Sequence, residues 1–275
     1  DDAPGEVSAY LSGTSVDAVD GALAVVNLAG ETIGRGRWTR RKRERILKSR
    51  LDAGRAVSEA VFRARSKPAV VLQASAVGFY GDRGGEVLDE RAASGRGFLA
   101  DVARRWEIST QSVEEWGVRR VVARSAVVLD RDGGALPGFE RMFRFGPAPL
   151  PGDGRPWLPW IHLGDEARAL ALCLERDDLT GAFNLAAPSS VTVEGFFRAL
   201  ASARGGAVRG RIPSWILRAA LGLKAREALL ASQRVEPRRL LEAGFDFRFP
   251  DLPAALGDLF GAGRTGSGGR PRARR

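Results

Sequence analysis

Residues 69–82 read AVVLQASAVGFYGD. The stretch opens on a valine-rich apolar run and closes through Gly78 and Gly81. A short apolar run bounded by turn residues reads as a strand buried on both faces of a parallel sheet. Two other runs share that character, residues 22–28 (ALAVVNL) and residues 120–129 (RVVARSAVVL). The segments between them have a helical period. Ile46, Leu47, Leu51, Gly54, Val57 and Val61 recur near 3.6 residues within 42–64, as do Phe98, Leu99, Val102, Trp106, Val113 and Trp116 within 98–116. Strand, helix, strand, helix, strand predicts a doubly wound α/β fold, a Rossmann-like parallel sheet with right-handed crossovers.

The later chain changes character. Residues 147–159 (PAPLPGDGRPWLP) read as a long proline- and glycine-rich loop, a length usually kept for function. A helix over 164–176 and a short strand over 182–186 follow. Short helices over 213–223, 226–232, 236–243 and 252–260 predict a small, mostly helical C-terminal region at 205–260. Residues 261–275 are Gly-, Arg-, Ser- and Pro-rich and read as a disordered basic tail.

Composition bounds the function. The chain has 275 residues, 44% of them hydrophobic, enough for a full core. No apolar run reaches the length of a membrane-spanning helix. One cysteine, Cys173, forbids an internal disulfide, and with one histidine, His162, a Cys/His zinc site is excluded. Together these point to the cytoplasm. The net charge of +10 suggests nucleic acid, but its distribution does not. The tail supplies +5 and residues 35–50 supply +8, so the remainder is slightly acidic. No specific nucleic-acid partner is expected.

Open parallel sheets bind ligands beyond the carboxyl ends of their strands. Those ends are residues 27–30 (NLAG), 75–78 (SAVG) and 125–129 (SAVVL). Ser75 reads either as a catalytic hydroxyl or as a serine capping a turn. Tyr80 reads as an acid/base or as packing under the following loop. His162, with Asp165 three residues on, reads as a proton carrier or a structural imidazole. Trp157 and Trp160 are ligand-stacking or core residues, and Arg124 pairs with a phosphate or with Glu107.

VVNLAGE (25–31), SAVGFYGD (75–82), FLADVARRWE (98–107), RSAVVLDRDGGAL (124–136) and PWIHLGD (159–165) occur in an order that resembles one family. This is the epimerase-like group of atypical extended short-chain dehydrogenase/reductases. Residues 233–256 resemble that group's small C-terminal domain. The resemblance implies an NADP- or NAD-binding Rossmann domain at 1–190 and a small-molecule substrate, sugar-like or nucleotide-linked, attacked at a hydroxyl or carbonyl. It leaves a homodimer open. It implies that Asn27, Leu28, Ala29 and Gly30, with Ser49 and Val127, approach the cofactor. It also places Ser75 at the catalytic serine, Tyr80 as a substitute acid/base, and Trp160 and His162 beside the substrate.

Two departures qualify this. The one G-x-G-x-x-G, at 261–266, lies in the tail and follows no strand run, so the chain is expected to lack the family's first strands and their glycine-rich turn. The superfamily's Tyr-x-x-x-Lys pair is also absent, with Leu99 and Ala103 in its places. That absence supports an alternative reading, an NADP(H)-holding redox sensor without turnover.

Overall fold

The computed structural model describes residues 18–261. The expected tail lies almost wholly outside them. At the centre is a four-stranded, fully parallel sheet of β1 (Ala24–Asn27), β2 (Val70–Ala76), β3 (Arg119–Ser125) and β4 (Gly181–Leu185), in that spatial order. Helices α1 (Arg40–Arg63), α2 (Phe98–Ile108) and α3 (Leu163–Glu175) lie along its crossovers. The doubly wound α/β expectation is met.

Alternation along β2 explains why both faces are covered. Val70 and Leu72 point into a core with Ala169 and Cys173 of α3. Val71 points the other way, against Ala60 and Val61 of α1. Thr39 caps α1 by accepting from the Lys42 amide. Gly54 lets α1 touch the end of α2, where a Cβ would sit 1.8 Å from Ser109 Oγ. The N-terminus of α2 follows Gly97 at φ 124°, and its Phe98 and Leu99 amides donate to the Glu227 carboxylate. That contact draws the C-terminal region onto the sheet.

Two expectations are corrected and one helix is added. Residues 120–129 are two strands, because the chain leaves the sheet at Ala126. Its amide donates to Leu185 and that of Val127 to Pro159, so Val127–Leu129 pairs with Trp160–His162. The 147–159 segment contains two strands. Ala148–Pro151 pairs with Val208–Ile212 and Trp157–Leu158 with Val191–Thr192. Prolines are tolerated there because each ribbon has only two strands, both of them edges. The helix Val193–Ala203, unread in the sequence, is capped by Thr192 and buries Phe196, Phe197 and Leu200 in a second core. That core also takes Leu252, Leu256 and Leu259. Arg234–Val235 pairs with Val87–Leu88, so the C-terminal region is woven into the rest of the chain.

Candidate active site

Beyond the carboxyl ends of β2 and β3 lies a cavity of about 260 Å³. Its floor is Ala76–Gly78 and Ser125–Val127, one wall is Leu99, Val102, Ala103 and Trp106 of α2, and Trp157–Pro159 and Gln233 close the other side. The lining is apolar, with Arg50, Ser125, Glu227 and Gln233 as isolated polar groups. This is the usual character of a small-molecule site.

The guanidinium of Arg50 lies 4.7 Å from the Trp106 ring centroid and donates to the Glu31 and Ile46 carbonyls. Burial lowers it to about 10, partly opposed by Glu31, so it stays cationic at neutral pH. The indole N–H of Trp106 is buried and has no acceptor among the described residues. Buried donors are nearly always satisfied.

Val127 lines the cavity as expected. Other expected residues do not. Ser75 lies on the α2 side of β2, where its hydroxyl donates to Glu107 Oε1 at 2.6 Å. Glu107 also takes two bonds from Arg124, at 2.9 and 3.0 Å. The strand's alternation therefore offers Ala76, not Ser75, to the cavity. Tyr80 is fully buried, donating to Asn184 at 2.7 Å and accepting from Arg124 at 3.0 Å. Burial raises its phenol, with Arg124 and Asn184 opposing, so it remains a neutral structural hydroxyl. Of the two readings of Arg124, the structure selects the pairing with Glu107.

Trp160 is 1% exposed in the second core and donates to the Ser189 carbonyl. Of the two tryptophans in residues 157–160, the one at the cavity is Trp157. His162 Nδ1 accepts from the Gly164 amide and caps α3, while Nε2 lies 3.3 Å from Asp258 and the ring packs on Phe249. Neither residue reaches the cavity. Asn27 is buried, donating to Gln73 and accepting from the Ala29 amide. Ser49 accepts from the Glu31 amide and donates to Ile46, which pins the strand-end loop to α1. Leu28, Ala29 and Gly30 are exposed on that loop. The basic residues of α1 are largely spent on ion pairs, including Arg40–Glu44, Lys42–Glu31 and Lys48–Asp52. Among the described residues no cluster of metal ligands occurs and no helix is long and apolar enough to cross a membrane.

Residues 13–186 match the NAD dependent epimerase/dehydratase family. The chain belongs to that family. Residues 212–259 match a domain of unknown function, DUF1731. Epimerase family protein ML0860 of Mycobacterium leprae is 37% identical over 87% of this chain and 78% of its own length. Epimerase family protein YfhF of Bacillus subtilis is 34% identical over 87% and 78%. The crystal structure of human epimerase family protein SDR39U1 with NADPH superposes with a TM-score of 0.83. It shares 32% identity over 92% of this chain and 85% of that one. Membership confirms the resemblance read from the five motifs. Leu99 and Ala103, expected from the resemblance in the places of the missing Tyr-Lys pair, both line the cavity.

The sequence did not single out Arg50, Trp106, Ser125 or Glu166. For Glu166 a signal existed. It shares the buried face of α3 with Ala169 and Cys173, at i+3 and i+7, where a carboxylate breaks the apolar pattern.

Proposed function

We propose that this chain is an NAD(P)-dependent epimerase or reductase acting on a hydroxyl or carbonyl of a sugar-like or nucleotide-linked small molecule. The observation that carries this is the cavity itself. It lies beyond the strand ends of a family fold whose human relative was crystallised with NADPH. Its volume suits one ring and a small substrate group rather than a whole dinucleotide. Ala76–Gly78 and Val127 fit the flat face of a nicotinamide, and Arg50 is the nearest lining cation. When bound, the cofactor supplies or accepts the hydride. The chain's residues orient the reacting oxygen and exclude water.

The pyrophosphate site is proposed to come from a glycine-rich segment whose strands pair with β1. Among the described residues β1 pairs only with β2, and Leu23 and Leu28 beside it are exposed. An NADPH titration by ligand fluorescence and calorimetry tests this, using the chain alone and a chain extended by a family N-terminus with the glycine turn. Binding to the extended chain is expected, with NADH as competitor to rank the two cofactors. No binding to either form would sink the reading.

This reading leaves Ser75, bonded to Glu107, outside the site. Ser75→Ala should cost about 1.5–3 kcal/mol, the worth of one hydrogen bond to a charged group, and leave NADPH affinity unchanged. Urea denaturation and the same titration check both halves. A second reading, an NADP(H)-holding protein without turnover, rests on Leu99 and Ala103 in place of a tyrosine and lysine.

A further inference from the structure

The cavity has no tyrosine among its lining residues, yet it does not lack a proton-bearing group. Ser125, the last residue of β3, is partly exposed and lines it. The Ser125 hydroxyl donates to Oε1 of Glu166, on the first turn of α3. Glu166 is 7% exposed, and its Oε2 is buried with no partner among the described residues. A buried carboxyl left half satisfied is costly in a structural role. Here it touches the cavity only through the serine.

We propose that Ser125 and Glu166 are the proton-transfer pair of this site. Ser125 Oγ is the catalytic hydroxyl that meets the ligand's oxygen, and Glu166 is the positioning residue that supplies and removes its proton. The proposal deepens the oxidoreductase reading and names the acid/base that the missing Tyr-Lys pair leaves open.

In the reductive direction, a carbonyl carbon gains an electron pair as hydride from the reduced nicotinamide of that reading. With Glu166 protonated on Oε1 and donating in turn to Ser125 Oγ, the Ser125 proton is free for the ligand's oxygen, so one O–H bond breaks and one forms on the ligand. The protonated Glu166 carboxyl then returns a proton to Ser125 across the same Oγ–Oε1 contact and is left as carboxylate. Oxidation of an alcohol runs the steps in reverse.

The electrostatics suit this exchange. Burial pushes Glu166 up to about 7, opposed only by the Ser125 bond, so both protonation states are populated near neutral pH. Charged neighbours are engaged elsewhere. Asp165 binds Arg168 and the Arg248 and Phe249 amides, Arg124 binds Glu107, and His162 faces Asp258. Cys173, a titratable neighbour on the same helix, is buried, and burial raises its thiol to about 11.

That silent cysteine allows a test without cofactor or substrate, so failure here is separable from failure of the oxidoreductase reading. Ser125→Cys places a thiol at the cavity, where iodoacetamide can reach it. A thiolate beside the Glu166 carboxylate is disfavoured, and a shift of one pKa unit changes its population tenfold. Near pH 8, where Glu166 is ionised and the thiol mostly is not, alkylation of the Ser125→Cys/Glu166→Gln chain should be about tenfold faster than that of Ser125→Cys, and the rates should converge below pH 6 and again above about pH 10. Superimposable pH profiles, or no alkylation of the folded chain, would overturn the proposal. Should the cysteine variants not fold, infrared difference spectra of the wild type against Glu166→Gln decide. A protonated-carboxyl band lost with a midpoint near 7 supports the pair, and a band absent or unchanged across pH 5.5–8.5 refutes it.

Discussion

Glu166→Gln should raise the melting temperature at pH 8 by about 6–12 °C and leave it nearly unchanged at pH 4.5. Burial lifts the folded-state carboxyl from its ordinary 4.5 to about 7. Between those values the folded chain holds a proton that the unfolded chain has released. The stability this group contributes is therefore complete below about pH 4.5 and is lost as pH rises through 7. The loss reaches about 3 kcal/mol once both states are ionised. Glutamine keeps the shape and an acceptor for Ser125 but has no proton to lose. Thermal melts of both chains at the two pH values check this, and an equal shift at both would show that Glu166 titrates normally. The same change should abolish the pH dependence of Ser125 chemistry, so stability and proton transfer trade against each other at one carboxyl.

The second large effect is expected at Arg124. Its guanidinium is bound to Glu107 and Tyr80 and lies 3.6 Å from the Phe79 ring centroid. The side chains of Arg124 and Glu107 are 7% and 13% exposed. Glu107→Ala would strand a buried cation and remove the acceptor of Ser75, at a cost of about 3–5 kcal/mol. Replacing both partners by leucine should cost less than the sum of the single changes, because no unpaired charge remains. Urea denaturation of the wild type, Glu107→Ala, the two single leucine variants and the double variant measures it. A loss under 1 kcal/mol in Glu107→Ala would mean that water reaches the pair. The cluster binds the hydroxyls of Ser75 and Tyr80 behind the cavity, although both look catalytic in sequence.

That confusion has a physical source. A strand shows its neighbours alternately to its two faces, and a shift of one residue exchanges them. QASA was legible as the end of a buried strand, but nothing local marks whether Ser75 or Ala76 meets the ligand. The answer depends on Glu107, 32 residues away, taking the Ser75 hydroxyl. Likewise PWIH contained two plausible ligand groups, and both were claimed by packing, Trp160 by the second core and His162 by the start of α3.

By itself the sequence determined the parallel α/β class, the order of β1, α1, β2, α2 and β3, and the family. These are written in short windows, because backbone geometry sets a period of 2 or 3.6 and burial selects which residues fill it. Only the tertiary structure decided the site. Arg50, Trp106, Ser125, Trp157 and Gln233 meet there from five separate segments. The proton-bearing pair joins the end of β3 to α3 across 41 residues. A cavity forms where element ends converge, and that convergence is set by the packing of whole faces, for which no local stretch of sequence carries a pattern.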